Sequence, residues 1–421
     1  MKNPDTPPPT ISKPRFVLYY ILHLHLGPTF IKTSIGSDTL ISRACHISTF
    51  RKMSSKCKIH LLDGGLGTTL GDSHQVQFTE KEPLWSSQLL IPTHPHGPKT
   101  LLATQKSFVD AGADILLTAT YQASYEGFGG SGYAVHSRSS SDSKKEDGDK
   151  EQVNEIMRSA VDIASNAFSI KKDSSGKIAL SLGAYGAIMT PGQEYTGKYD
   201  DQHKSSEQLS SWHYERISVF ARDPKSWDRV DYVAFETIPL LEEIEAVRKS
   251  MGEVERSNVG KTRSKPFWIA SVFPGEGNGL PDGSSVQQIV QAMLSKKDGS
   301  PVPFGIGLNC TKVGKVEALI LDFEREVRSL IEKGDISEWP SLVVYPDGTI
   351  KGEVYNTSTK VWEIREPPGE EDLQWDEAVL EIIRRTRNRG LWKEIIVGGC
   401  CKTTPREIGK LRERIDRLDK E

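Results

Sequence analysis

Eight short apolar runs recur between residues 58 and 401, and they confine the chain to very few folds. They are KIHLLDGG (58–65), DILLTATY (114–121), KIALSLGAYG (177–186), DYVAFET (231–237), PFWIASVF (266–273), FGIGLNC (304–310), LVVYPDG (342–348) and EIIVGGCC (394–401). Each is apolar almost throughout rather than alternating, as expected of strands buried on both faces of a parallel sheet. Helix-period segments lie between them, such as PKTLLATQKSFVDAGAD (98–114), PLLEEIEAVRKSM (239–251), KVEALILDFEREVRSLIEKG (315–334) and PREIGKLRERIDRL (405–418). In the second of these, Leu240, Ile244 and Val247 share one face, and carboxylates occupy the first turn. Eight strand–helix units predict an α/β fold, a (β/α)8 TIM barrel with loop insertions. A doubly wound open sheet is the alternative.

The barrel accounts for residues 58–421. Residues 1–57 read as an N-terminal extension, either disordered, a targeting segment or a dispensable tail behind a second start at Met53. The first 60 residues hold only Asp5 and Asp38 as acids, as a transit peptide would. The apolar stretch at 16–31 is broken by histidines and a Gly-Pro and is short for a membrane span. A low-complexity insertion, GFGGSGYAVHSRSSSDSKKEDGDKE (127–151), reads as a disordered loop. EVERSNVGKTRSK (253–265) and SKKDGSP (295–301) read as smaller exposed loops. Such segments also explain a hydrophobic content of only 36%. A net charge of −3 over 421 residues gives no electrostatic case for nucleic acid or an anionic membrane. The five cysteines are odd in number and irregular in spacing, so a reducing compartment is expected. That compartment is the cytoplasm, with mitochondrial targeting by the extension as the alternative.

Barrel chemistry sits at the C-terminal ends of the strands. Two strand ends here finish in cysteine, Cys310 on the sixth and Cys400 with Cys401 on the eighth. The adjacent pair is not a natural disulfide. Its Cα atoms lie about 3.8 Å apart, short of the roughly 4.4–6.8 Å that disulfides span. In an extended strand the two side chains would also point to opposite faces, so the strand must break. Gly398 and Gly399 permit unusual dihedrals and close backbone approach there. Cys310 alone reads equally as a small buried hydrophobe, and the three together could sense redox state. A metal is the stronger reading, because it draws thiolates together, and three soft ligands with an open fourth position suit a catalytic Zn²⁺. So thiolate-rich a metal activates water weakly, and its natural task is to hold and deprotonate an incoming thiol, which implies S-alkylation.

Six motifs then carry a resemblance. LLDGGLGTTL (61–70), TATYQASYEGF (118–128), AYGAIMTPGQEYTGKY (184–199), FETIPLLEEIEAV (235–247), GIGLNC (305–310) and IVGGCCKTTP (396–405) stand in the order seen in homocysteine S-methyltransferases. The chain resembles that family over roughly 58–415. The resemblance implies a (β/α)8 enzyme with one zinc per chain, moving a methyl group from S-methylmethionine or S-adenosylmethionine to homocysteine to give methionine. Betaine and selenocysteine-type substrates are used by near relatives. The resemblance makes Cys310, Cys400 and Cys401 the zinc ligands. It assigns Asp63, Gly64 and Gly65 to the amino-acid pocket, with backbone amides near the glycines on the substrate carboxylate. Glu236 receives the homocysteine ammonium, and Tyr121 lies near the metal. The implied partners are small molecules, homocysteine and a sulfonium donor, with no nucleic acid or membrane, and a monomer is expected. One position departs from the pattern: Lys402 stands where many members carry glycine.

Taken alone, these residues have blander readings. Asp63 could cap a turn, Glu236 could open a helix, and Tyr121 could be a packed strand-end aromatic. His213 and Arg216, one helical turn apart in WHYERISVF, read as a surface pair. GEGNG (275–279) imitates a nucleotide loop, but no helix follows at once. The sequon Asn309-Cys310-Thr311 reads as chance.

Overall fold

The computed structural model describes residues 57–421 apart from 80–82, 132–142, 170–175, 258–263, 297–298, 350–352, 357, 360 and 365–373. The expectations for the N-terminal extension, and for part of the 127–151 insertion, therefore lie outside the described residues. Ten strands are described: β1 (Lys58–Leu61), β2 (Ile115–Leu117), β3 (Lys177–Gly183), β4 (Tyr232–Ile238), β5 (Phe267–Ser271), β6 (Gly305–Asn309), β7 (Ser341–Tyr345), β8 (Glu353–Asn356), β9 (Val361–Ile364) and β10 (Glu394–Val397). The helices are α1 (Leu66–His74), α2 (Gly97–Asp110), α3 (Tyr125–Gly130), α4 (Ser143–Phe168), α5 (Ser206–Ala221), α6 (Pro224–Trp227), α7 (Leu241–Arg256), α8 (Val286–Leu294), α9 (Val313–Lys333), α10 (Trp375–Arg389) and α11 (Pro405–Lys420).

Eight of the strands form one parallel sheet in the order β1-β10-β7-β6-β5-β4-β3-β2. A bridge between Leu62 and Ile115 joins its two ends, and Asp114 N–H donates to Leu61 O at 2.7 Å beside it. The sheet thus closes into the expected (β/α)8 barrel. Two cores follow from closure. The inner one mixes small residues (Ala179, Ala234, Ala270) with Trp268 and Tyr345, so two large side chains fill the space the alanines leave. The outer one lies between strands and helices. α9 shows its logic: Val316, Leu319, Ile320, Phe323, Val327 and Leu330 are buried at helical spacing, and Gly334 ends the helix at φ +78°.

Three expectations are corrected. The 127–151 insertion is not a continuous loop. Residues up to Gly130 complete α3, capped by the Ser124 side chain, and Ser143 onward opens α4. Lys and Glu are good helix formers, so charge-rich composition did not exclude a helix. α7 likewise runs on to Arg256, into a segment read as loop. His213 and Arg216 are buried, not exposed. α5 is covered on nearly every side, and both polar groups are used: His213 Nε2 meets Glu243 Oε1 at 2.9 Å, and Arg216 bonds backbone carbonyls. One element was not anticipated, the antiparallel hairpin β8–β9 inserted after β7.

Candidate active site and metal centre

The last barrel strand stops pairing as a strand at Val397, but its backbone continues between its neighbours. Gly398 N–H donates to Val344 O (3.1 Å), Gly399 N–H to Asp63 O (3.0 Å) and Cys400 N–H to Pro346 O (2.9 Å). The chain then turns: Thr403 Oγ1 donates to Cys400 O at 2.6 Å, and Thr404 caps α11 in a capping box with Glu407. Neither Gly398 nor Gly399 adopts a left-handed backbone, so the expected unusual dihedrals are absent there. Close approach is what the glycines provide, since a Cβ on Gly399 would lie 2.2 Å from Thr403 Oγ1. The left-handed residue is Lys402, at φ +62°. That explains why glycine fits this position, and lysine bears a cost of about 1–2 kcal/mol there.

Cys310 also sits in the left-handed region (φ +46°), as does Thr237 at the end of β4 (φ +59°). A reciprocal pair holds them. Thr237 N–H donates to Asn309 Oδ1 at 2.7 Å, and Asn309 Nδ2 donates to Thr237 Oγ1 at 2.8 Å. Two unfavourable backbones fixed by one buried pair mark a position under functional constraint. Asn309 is fully buried, so its sequon has no accessible amide.

The structure brings the three cysteines together, their sulfurs within 4.8 Å of one another. Cys310 and Cys400 are joined as a disulfide, with Cα atoms 5.5 Å apart, and Cys401 is free. The adjacent pair is therefore not bonded to itself. Two-electron reduction releases three thiols at one point. Three sulfurs on a tetrahedral zinc at about 2.3 Å would lie about 3.8 Å apart; the three here already lie within 4.8 Å of one another, and reduction frees the bonded pair to separate to that spacing. Burial, with Asp347 and Glu194 adding to it, pushes the Cys401 thiol up to about 12. Such a thiol ionises near neutrality only beside a cation. The donor set therefore fits zinc in number, spacing and charge.

Asp63, Gly64, Gly65, Tyr121 and Glu236 line the same cavity as the three cysteines, a space of about 920 Å³ counting the solvent at its mouth. Asp63 uses one oxygen, Oδ2, to accept from Leu117 N–H at 2.9 Å. Its Oδ1 is buried without a hydrogen-bond partner, and so is Glu236 Oε1. Glu236 lies within β4, not at a helix start, where Ser181 and Tyr345 near it partly favour its charged form. Burial pushes its carboxyl up to about 7. Burial also holds Asp63 well above the usual carboxylate range, and Glu236 adds to the effect. Tyr121 is likewise desolvated, which holds its phenol well above its ordinary value. The expectation for Gly65 changes. Its amide already donates to Thr403 O (2.9 Å) and Thr403 Oγ1 (3.1 Å), so it is not a carboxylate donor. Glycine is needed for contact instead, because a Cβ would lie 2.4 Å from Cys400 O.

Sequence reading missed Trp85, Glu194, Tyr195, Tyr355 and Trp362, which also line the cavity. They come from loops and the hairpin, where no periodicity flags them. The glycine loop at 275–279 is dismissed by its polarity: Lys315 Nζ donates to the carbonyls of Phe273 (2.9 Å), Gly275 and Gly277 (2.8 Å). It presents oxygens to a cation, not amides to a phosphate.

A (β/α)8 barrel converging three cysteine sulfurs and two unpartnered carboxylate oxygens defines a thiol-centred barrel enzyme. The family described as homocysteine S-methyltransferase matches residues 60–415. The chain belongs to that family and is a methyltransferase. Homocysteine S-methyltransferase 3 of Arabidopsis thaliana is 30% identical over 365 residues, covering 83% of this chain and 87% of its own. Selenocysteine Se-methyltransferase of Brassica oleracea var. italica is 28% identical over 368 residues, covering 84% and 88%. Among solved structures, the metallated form of the homocysteine methyltransferase MmuM from Escherichia coli aligns with a TM-score of 0.58 at 22% identity. The alignment covers 85% of this chain and 97% of that one, and it shows a shared fold.

Proposed function

We propose that this chain transfers a methyl group from a sulfonium donor, S-methylmethionine or S-adenosylmethionine, to the thiol of L-homocysteine, giving methionine. One observation carries the reading. Asp63 Oδ1 and Glu236 Oε1 are buried and unpartnered in the cavity that holds the three cysteines. An amino acid bearing a thiol satisfies both features, its ammonium on the carboxylates and its sulfur at the thiol cluster.

Cys310, Cys400 and Cys401 would hold one zinc, which when bound supplies the Lewis acidity that keeps an incoming thiol deprotonated at neutral pH. Asp63 and Glu236 ionise against the ammonium and fix the direction of the substrate. The cavity walls exclude water. The donor's S–CH₃ bond breaks as the S–CH₃ bond of methionine forms, and the thiol proton has already left to solvent. A positive donor and a negative sulfur neutralise each other in the transition state, so a weakly polar cavity favours the reaction. No general base is needed.

The site would also accept a selenol in place of a thiol, a second reading favoured by the similarity to a selenocysteine Se-methyltransferase. The cytoplasm is the proposed compartment, because three thiols stay reduced there. A methyl-transfer assay tests the reading with reduced, zinc-loaded protein and each donor in turn, reading methionine from homocysteine and Se-methylselenocysteine from selenocysteine. Wild type forms methionine and Cys310→Ser does not. An active Cys310→Ser enzyme would exclude this ligand set.

A further inference from the structure

The three cysteines, Asp63 and Glu236 account for part of the cavity lining. Another part comes from two separate segments. Glu194 and Tyr195 come from the segment between β3 and α5, and Tyr355 and Trp362 from the hairpin β8–β9; all four line the cavity. Tyr355 and Trp362 are direct cross-strand partners, so their side chains share one face, with ring centroids 5.0 Å apart. Glu194 is buried, only 7% exposed. Its charge acts on both Cys401 and Tyr355.

The hairpin is tied to the metal centre at two points. Lys312, two residues after Cys310, donates from Nζ to the carbonyl of Glu353. Lys402, the residue after Cys401, reaches Glu353 Oε1 at 3.5 Å and sits over the Trp362 ring, 5.4 Å from its centroid. Both cysteine loops therefore position the same hairpin. This gives Lys402 a role that glycine could not fill.

Resting on the reading that the chain methylates homocysteine from a sulfonium donor, we propose that Glu194, Tyr195, Tyr355 and Trp362 form the donor's binding wall, and that Lys402 is the positioning residue that holds the hairpin half of it against the thiol centre. A sulfonium is a cation carrying apolar arms. Aromatic faces attract it and cover its arms, while one buried carboxylate offsets its charge. Because the wall lines the same cavity as the homocysteine anchors and the thiol cluster, a donor held on it has its methyl group beside the homocysteine sulfur.

The test is steady-state kinetics of the reduced, zinc-loaded protein with two methyl sources, S-methylmethionine and uncharged methyl iodide. Glu194→Gln raises the KM for S-methylmethionine by about tenfold or more. It leaves the KM for homocysteine, the zinc content and the methyl iodide rate within about twofold. Trp362→Leu does the same, and Trp362→Phe, which keeps a ring, falls between. Lys402→Gly, which relieves the backbone and removes the tie, raises the donor KM several-fold with zinc content unchanged. A donor KM unmoved in both Glu194→Gln and Trp362→Leu overturns the wall, as does an equal loss with methyl iodide. Wild type that alkylates homocysteine with methyl iodide but with no sulfonium overturns the wall and leaves the thiol site standing. Wild type that uses neither overturns the proposed function and the wall with it.

Discussion

The guanidinium of Arg216 donates to the carbonyl oxygen of Tyr121 at 2.9 Å, so a helix on the outside of the barrel holds the backbone of a residue inside the site. The same group donates to Gly183 O at 2.8 Å, Ala123 O at 3.0 Å and Thr120 O at 3.3 Å. One buried cation thus ties together four carbonyls, three after β2 and one at the end of β3. Thr120 O and Tyr121 O also accept from the N–H groups of Ala123 and Gly183. Arg216→Ala therefore removes the arginine from all four and, among the described residues, the only side-chain donor from Ala123 O and Gly183 O. It destabilises the fold by about 3–5 kcal/mol, and Arg216→Lys, which can satisfy some of them, costs less. Urea unfolding of the three proteins checks the order. A loss under about 1 kcal/mol in the alanine variant would contradict it.

Glu236 sets a pH dependence of stability. Its carboxyl rises from an ordinary 4.5 to about 7 on burial. The folded state therefore holds this proton more tightly than the unfolded state. The stabilisation is fully present below about 4.5, declines as the unfolded chain ionises, and is lost once pH passes about 7. The full swing is of order 3 kcal/mol. In zinc-free, reduced protein, Glu236→Gln should gain on wild type between pH 5 and pH 8 by a large part of that amount. Denaturant unfolding at both pH values measures it, and a constant difference would count against the burial argument.

Asp63 offers one committed oxygen and one unpartnered one. Asp63→Asn keeps the shape but removes the charge that meets the ammonium. The KM for homocysteine should rise by about 10- to 100-fold, the worth of a hydrogen bond to a charged group. The KM for the methyl donor should move less than about twofold. An unchanged homocysteine KM would remove Asp63 from the pocket.

Gly65, between β1 and α1, packs against the Cys400–Lys402 turn. A methyl group there would lie 2.4 Å from Cys400 O and 2.5 Å from Thr68 Oγ1, and Thr68 Oγ1 also accepts from Lys402 N–H at 3.0 Å. Gly65→Ala should displace the Cys400–Lys402 turn and lower zinc stoichiometry by at least about half, with circular dichroism unchanged, since the clash is local. Full zinc occupancy in a folded Gly65→Ala protein would show that the turn yields.

The barrel was legible because eight buried parallel strands leave eight nearly unbroken apolar runs, from KIHLLDGG to EIIVGGCC. The cysteine cluster was legible because barrel geometry places every strand end on one face, so Cys310 and Cys400–Cys401 meet although 90 residues separate the first two. What escaped notice lacks a local signature. Arg216 looked like a surface cation because helix spacing does not say what covers a helix. Glu194 joins the site from the β3–α5 connection and Tyr355 and Trp362 from the hairpin, and only tertiary contact brings them together. The strain at Cys310, Thr237 and Lys402 was invisible for the same reason: at Thr237 it is held by Asn309, which reaches across from β6 to β4 past the intervening β5.

The central claim is that three thiolates hold one zinc with a fourth position for the substrate thiol. X-ray absorption at the zinc edge of reduced, zinc-loaded protein tests it directly, with and without L-homocysteine. The account predicts three sulfurs at about 2.3 Å without homocysteine and four with it. Fewer than three protein sulfurs, or no added sulfur when homocysteine is present, would contradict it.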